Sequence, residues 1–332
     1  MIKWINRIIT VVILSISGLT LAHSESNTPV PEQIQPEQMV SNKETQATQT
    51  IDHQPILQIP ILSDVHIGRE QGDVPEAADT RYIKALLDYQ EIAPQMDAFI
   101  VVGDMTDLGK KSEYDQFNAI TNQYIDSKIQ RLYTIGNHEF LESGLLSLTS
   151  GNTLTSRFIE KTSSPNVYYD SWIKDYHFIV LGGELSANKL AGRNDNDAYL
   201  SEEQLQWFKQ KLAEGAVSNK PIFVFLHQPL NNTLSASADW GAGEISSQLK
   251  EILEEYPQVI LFSGHTHFPL QEEQSVVTDG FTMVNTGAVA YIEGQLHLSQ
   301  GLLLNVYSDR VEIKAREFST KEWIKTINIP VQ

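Results

Sequence analysis

Six stretches along the chain share one pattern, an apolar, β-branched run that ends in a small polar cluster. They are ILQIPILSDVH, DAFIVVGDMTD, QRLYTIGNHE, HFIVLGGE, PIFVFLHQP and VILFSGHTH. Continuous apolar runs, unlike alternating ones, mark strands covered on both faces. Segments of helical period lie between several of them. TRYIKALLDYQEI follows the first run and SEYDQFNAITNQYI the second. LSEEQLQWFKQKLAE opens on a capping box at Ser201 and Gln204, and SSQLKEILEEYP is stopped by Pro257. Strands alternating with helices predict a layered α/β fold. From Phe281 onward the pattern changes. FTMVNTGAVAYI, LHLSQGLLLNVYS and RVEIKAREF read as strands joined by short turns, which predicts a second, more antiparallel sheet there.

The N-terminal part is different again. Lys3 and Arg7 precede an apolar run from Ile8 to Ala22, and Thr20-x-Ala22 offers a cleavage site, so residues 1–22 read as a signal peptide. The competing reading is an uncleaved membrane anchor. Ser15, Ser17, Gly18 and Thr20 interrupt the run, which is short for a spanning helix. The chain is therefore expected to be exported, periplasmic or secreted, with membrane anchoring as the alternative. Residues 23–54 are rich in Ser, Thr, Gln, Glu and Pro and read as a flexible leader. No 20–50-residue repeat is visible, which leaves one domain over 55–330.

Composition narrows the chemistry. Among 332 residues, 24 basic against 42 acidic side chains give a net charge of −18. That argues against a general grip on nucleic-acid backbone, which needs clustered Lys and Arg. It leaves room for an anionic substrate held through metal ions, because a bound cation dominates its local field. There are no cysteines, so disulfides, thiolate nucleophiles and Cys-ligated zinc are excluded.

In open α/β sheets, sites form beyond the carboxyl ends of the strands. The polar clusters should therefore meet at one edge. They contribute Asp64 and His66; Asp104 and Asp107; Asn137, His138 and Glu139; His227; and His265 with His267. Five of the nine histidines stand at strand ends. Singly, each cluster has a plainer use: an Asp caps a turn, GNHE makes a tight turn, His227 packs in a core. In an extended segment His265 and His267 share a face and can address neighbouring points. Together the groups offer imidazole nitrogens, carboxylate oxygens and an amide oxygen. That donor set suits iron, zinc or manganese rather than Cu(I) or an iron–sulfur cluster. It is too large for one four-coordinate ion and sufficient for two that share a ligand, with Asp104 central. Two ions ~3.5–4 Å apart can hold a hydroxide, orient a phosphorus centre and neutralise the attacking and leaving oxygens. The residues thus point to metal-assisted hydrolysis of a phosphate ester.

The series Asp64-Val-His66, Gly103-Asp104, Gly136-Asn137-His138-Glu139, His227 and Gly264-His265-Thr266-His267 resembles the calcineurin-like metallophosphoesterases in type, order and completeness. The resemblance implies a four-layer α/β/β/α sandwich, two mixed sheets with helices outside. It implies two divalent or trivalent ions, of Mn, Fe or Zn. The first would take Asp64, His66, Asp104 and His267, and the second Asp104, Asn137, His227 and His265. Asp104 would bridge, and a bridging hydroxide would attack. His138 would face the substrate and protonate the leaving oxygen, and Glu139 would orient His138. Asp107 stands where purple acid phosphatases carry a tyrosine, so a tyrosinate-coloured iron site is not expected. GDMTDLGKKSEY resembles the bacterial exported phosphodiesterase-type branch. The implied substrate is a small-molecule phosphate ester, a diester ahead of a monoester by resemblance alone. A phosphomonoesterase, a nuclease of the same superfamily and a non-catalytic scaffold are the alternatives. Scaffold relatives characteristically lose ligands, and none is missing here. No nucleic-acid or protein partner is expected, and membrane contact only through the N-terminal segment.

Other polar residues read more plainly. His177 lies inside an apolar run and is expected to pack, His297 to sit on the surface, and His23 and His53 belong to the leader or its edge. GRNDND at 192–197 lacks the spacing and distal Glu of an EF-hand and reads as a turn. The loop 231–244, with Trp240, follows His227 and either shapes a substrate pocket or packs by its aromatic. Asn285 and Thr286 end a strand and are expected at the site margin.

Overall fold

The computed structural model describes residues 54–143, 151–185, 196–216 and 220–331. The signal peptide, all but the last residue of the leader, His23, His53 and most of GRNDND lie outside the described residues.

Two six-stranded sheets carry the fold. In the first, β1 (Leu57–Leu62), β2 (Ala98–Val102) and β3 (Gln130–Thr134) run parallel. They are linked by α1 (Ala78–Ile92) and α2 (Lys111–Tyr124). In the second, β4 (Tyr169–Ile173) pairs antiparallel with β5 (Tyr176–Val180). β6 (Ile222–Phe225), β7 (Val259–Ser263) and β9 (Phe281–Asn285) continue it in parallel, and β8 (Val276–Asp279) closes it antiparallel. The remaining α-helices among the described residues are α3 (Gly151–Thr162), α4 (Glu202–Ala216) and α5 (Ser246–Leu253). Among the described residues no helix is long and apolar enough to cross a membrane.

Alternation along the strands explains the layers. Phe99 and Val101 of β2 point to Tyr82, Tyr89 and Phe117 on the first helices. Ile100 and Val102 point the other way, with Ile59 and Ile61, onto Phe178, Phe223, Phe225 and Phe262 of the second sheet. Ile179, Val224 and Leu261 leave that sheet on its far side and meet Phe208, Leu212 and Leu249 of α4 and α5. Three apolar layers thus lie between helices, sheet, sheet and helices, the predicted four-layer sandwich. Strands apolar on both faces follow from this burial, each large buried side chain contributing about 1.5–3 kcal/mol.

The C-terminal strands depart from expectation. They do not make a sheet of their own. β10 (Gln300–Val306), β11 (Arg310–Glu317) and β12 (Glu322–Pro330) add to β1 antiparallel, giving the order β12-β11-β10-β1-β2-β3. β9, which belongs to the same sequence tract, pairs with β7 in the other sheet. The tract divides because both sheets expose an edge that it can pair. The capping box at Ser201 is only half made. Ser201 Oγ accepts from the Gln204 amide, while the Ser201 amide donates to Glu184, and the Gln204 side chain turns to Gly182.

Candidate metal centre

Every sequence-predicted site residue follows a strand by a few positions. Asp64 and His66 follow β1, Asp104 follows β2, and Asn137, His138 and Glu139 follow β3; His227 follows β6, and His265 and His267 follow β7. The first six come from one sheet and the last three from the other, and all five clusters meet at the shared carboxyl edge. The chain bends sharply to do this. Asp64, His66, Asp104, His265 and His267 all have left-handed backbone, with φ of 54°, 50°, 49°, 70° and 53°. Each such residue costs about 1–2 kcal/mol, a strain that concentrates at functional sites. His265 and His267 therefore reach their places through two left-handed turns, not along one face of an extended segment as expected.

The side chains form two adjacent groups able to hold a metal ion: Asp64, His66 and His267, and Asp104, His227 and His265. In the first, His267 Nε2 lies 3.1 Å from Asp64 Oδ1 and 3.2 Å from His66 Nε2. In the second, His227 Nε2 lies 3.1 Å from Asp104 Oδ2. The same Asp104 oxygen is 3.8 Å from His66 Nε2, so it faces both groups. The two histidines of GHTH are divided between them.

Three observations test whether these residues fit cations. First, the buried atoms Asn137 Oδ1, His227 Nε2 and His265 Nε2 have no hydrogen-bond partner among the described residues. The close approach of His227 Nε2 to Asp104 lacks hydrogen-bond geometry, which suits two donors to a common ion. Second, His227 Nδ1 donates to Val102 O at 2.7 Å and His267 Nδ1 to Tyr291 O at 3.0 Å. A carbonyl only accepts, so each of these imidazoles, when neutral, turns its Nε2 lone pair into the site, the arrangement by which ligating histidines are oriented. Third, the charges balance only with added positive charge. Burial pushes Asp64 up, but His267 and His227 outweigh it and hold the carboxyl at about 2. Asp104 is likewise held well below the usual range, burial being outweighed by His227 and His138. Burial lowers His66 to about 4, and burial with the His227 charge lowers His265 to about 3, so both favour the neutral, ligating form. His227 alone goes the other way. Burial pulls it down, but Asp104 and Asp64 raise it to about 10. The carboxylates thus favour a positive charge at this point, which a proton or a metal cation can supply. The donor set fits.

The glycines of the motifs have a steric reason. A Cβ on Gly136 would stand 2.2 Å from Asp104 Oδ1, and one on Gly264 2.5 Å from Asp64 Oδ2. The carboxylates lie directly against these backbones.

Glu139 corrects an expectation. It does not orient His138. Fully buried, it accepts from the amides of Asp104 (3.0 Å), Thr106 (3.0 Å) and Gly136 (2.8 Å) and from Thr106 Oγ1 (2.9 Å). Burial and the Asp104 charge raise its carboxyl to about 7 against those bonds. It ties the loops after β2 and β3 together, because its side chain points back beneath them. His138 is oriented instead by the Asp107 carbonyl, 2.7 Å from Nδ1, which leaves Nε2 facing the site 4.0 Å from Asp104 Oδ2.

His66, Asp107 and His138 make a third acidic–imidazole group. Its carboxylate is already neutralised, since Asp107 Oδ1 accepts from Arg69 Nε at 2.9 Å and faces Arg69 Nη2 at 2.8 Å. A cation there would have to displace the guanidinium. Arg69 and Tyr291 were not anticipated. Arg69 leaves a signal, being the third residue past His66 and a lone base in an acidic tract; Tyr291 leaves none.

The other residues fall out plainly. Thr286 Oγ1 meets Ser63 Oγ at 2.7 Å and Ser263 O at 3.1 Å, and Asn285 donates to Phe268 O at 3.3 Å, so both brace the loops beneath the site. In the 231–244 loop, the Trp240 ring is 5.8 Å from His265 and 48% exposed. His177 is buried away from the site, 2.9 Å from Asp170 and stacked on Trp172, and His297 is exposed.

Residues 57–269 match the calcineurin-like phosphoesterase family. A Nostoc sp. protein named 3',5'-cyclic-nucleotide phosphodiesterase is 22% identical over 214 residues, 64% of this chain and 71% of the relative. Two solved structures share the fold. A dimetal phosphatase from Danio rerio superposes with a TM-score of 0.63 at 15% identity, covering 84% of this chain and all of that one. A purple acid phosphatase from yellow lupin gives 0.56 at 14% identity, covering 82% of this chain and 53% of that one. The match runs through all five clusters, and the chain belongs to the calcineurin-like phosphoesterase family of metal-dependent phosphoester hydrolases.

Proposed function

We propose that the chain hydrolyses a small phosphodiester with the help of two cations. Asp64, His66, Asp104 and His267 hold the first, and Asp104, Asn137, His227 and His265 the second, with Asp104 shared. The observation that carries this reading is the convergence of buried carboxylates, imidazoles and an amide from five loops on one point, with Asn137 Oδ1, His227 Nε2 and His265 Nε2 left without a partner among the described residues. Nitrogen and oxygen donors without sulfur suit manganese, iron or zinc. When bound, such a pair polarises the phosphate and provides hydroxide at neutral pH. The chain's own residues do the rest. The two ionised carboxylates fix the cations' positions. His138, its Nδ1 proton engaged by Asp107 O, presents Nε2 to the substrate and can hold a proton there for the leaving oxygen. At 22% side-chain exposure it is reachable by substrate while the ligands beneath are buried. Diester preference is supported by the name of the Nostoc relative and by Asp107 in place of a tyrosine. Export is supported by Lys3, Arg7 and the apolar run to Ala22.

The test is metal analysis of the purified full chain, followed by rates on bis(p-nitrophenyl) phosphate and p-nitrophenyl phosphate. We expect about two ions per chain and faster turnover of the diester. Full activity after the metal is stripped would overturn the reading, and a monoester preference would overturn its diester part. Cell fractionation checks export; protein found only in the cytoplasm would refute it.

A further inference from the structure

Two of the histidines in the first group are held from behind by one small assembly. Asp107 is its hub. Its carboxylate faces His66 Nδ1 at 3.3 Å, and its carbonyl accepts from His138 Nδ1 at 2.7 Å. Arg69 grips that carboxylate through Nε and Nη2. The Arg69 guanidinium also lies over the Tyr291 ring, 5.0 Å from its centroid. The Tyr291 ring in turn lies against His267, centroids 4.2 Å apart and tilted by 34°, and its carbonyl accepts from His267 Nδ1 at 3.0 Å. The backbone closes the assembly, with the Arg69 amide donating to His66 O and the Asp107 amide to Ile67 O, both at 3.0 Å. One side chain, Arg69, therefore touches the outer supports of both His66 and His267. Among the described residues, the hydrogen bonds, ion pairs and ring contacts of Arg69, Asp107 and Tyr291 run to none of Asn137, His227 and His265. His227 is oriented by the Val102 carbonyl, a backbone group that no side chain adjusts.

Resting on the two-cation reading above, we propose that Arg69 is a positioning residue for one cation subsite only, that of Asp64, His66 and His267, and makes the two subsites inequivalent. The guanidinium fixes the Asp107 carboxylate 3.3 Å from His66 Nδ1, where its charge favours the proton on that nitrogen and so keeps the His66 Nε2 lone pair turned inward. Its planar face seats Tyr291, whose ring and carbonyl fix His267. Removing it frees both imidazoles at once. Partners of this kind alter metal affinity by about 10–100-fold when they are lost. A lysine retains the charge but has neither the fork nor the flat face.

The experiment is calorimetric titration of chelator-stripped full-length protein with Mn²⁺, with a thermal melt of each variant as a control for folding. Wild-type protein should show two classes of site. Arg69→Ala should weaken one class by about 10–100-fold and leave the other within about twofold, and Arg69→Lys should recover part of the loss. Backgrounds assign the classes. In His267→Ala, which cripples the first subsite, adding Arg69→Ala should leave the remaining class within about twofold. In His265→Ala, which cripples the second, adding it should weaken the remaining class by the full factor. Equal weakening of both classes, or no weakening of either, would overturn the proposal. Wild-type protein that binds fewer than two ions would overturn the two-cation reading and this proposal with it. That result is visible before any variant is compared.

Discussion

Replacing Glu139 with glutamine changes almost nothing in size and much in hydrogen bonding. The carboxylate accepts four hydrogen bonds, two at each oxygen: the Thr106 amide and hydroxyl at Oε1, and the Asp104 and Gly136 amides at Oε2. Glutamine keeps one oxygen. In its better orientation that oxygen serves Asp104 and Gly136, and its NH₂ faces Thr106. The Thr106 hydroxyl can rotate and accept, but the Thr106 amide then meets another donor. One buried amide left without an acceptor costs about 1–3 kcal/mol, and the two retained bonds fall from charge-assisted to neutral strength. The total is about 2–4 kcal/mol when the comparison is made at a pH above the raised Glu139 value of about 7, where the carboxyl is ionised. At roughly 2 °C per kcal/mol for a large domain, the melting temperature should fall by about 4–8 °C. The assay is differential scanning calorimetry of metal-stripped wild type and Glu139→Gln, with Mn²⁺ affinity measured beside it. The loops after β2 and β3 carry Asp104, Asn137 and His138, so affinity should fall together with stability. A variant with unchanged melting temperature and metal affinity, and a defect confined to turnover, would refute the reasoning. It would mean that Glu139 acts on His138 after all.

Three more outcomes are expected. His138→Ala should lower turnover by about 10²–10⁴-fold, the range for a general acid, while metal content stays near that of wild type; loss of metal would refute its assignment outside the ligand set. Asp104→Asn should weaken both cations, since one oxygen faces both groups, and metal analysis showing a full complement would disprove the sharing. Chelation should destabilise the fold by about 2.7 kcal/mol for each ion lost, relative to protein with free metal at a hundred times its Kd, so a melting curve indifferent to chelator would count against ligand-linked stability.

Of the strands legible before the structure, β3 and β11 are partly exposed and the clearest are buried on both faces. β1, β2, β6 and β7 are continuous apolar runs because helices cover one side and the opposite sheet the other. β4, β8 and β12 were not legible. All three are edge strands whose faces are partly wet, and SWI, VVTD and KTINIP carry no sustained run. Nor could the sequence tell that β9 and β10, fifteen residues apart, part into different sheets, since pairing partners depend on edges made elsewhere in the chain. The nine candidate residues were visible because metal-ligand chemistry restricts residue type and strand ends restrict position. What supports them was not. The Glu139 carboxylate turns beneath the loops rather than toward its neighbour His138, and neither direction is written in GNHE. Tyr291 reaches His267 from a loop with no periodicity at all, 24 residues further along the chain.

Because the centre draws Asp64 and Asp104 from one sheet and His227, His265 and His267 from the other, any ion seated there rivets the two halves at their common rim. The seam between the sheets is otherwise sealed by apolar side chains, which tolerate a small slide. Coordination does not, since a shift of one residue along a strand, about 3.3 Å, would pull the ligands out of reach. Loaded protein should therefore keep its two sheets in one fixed alignment, and the first step in taking the molecule apart is the loss of its ions.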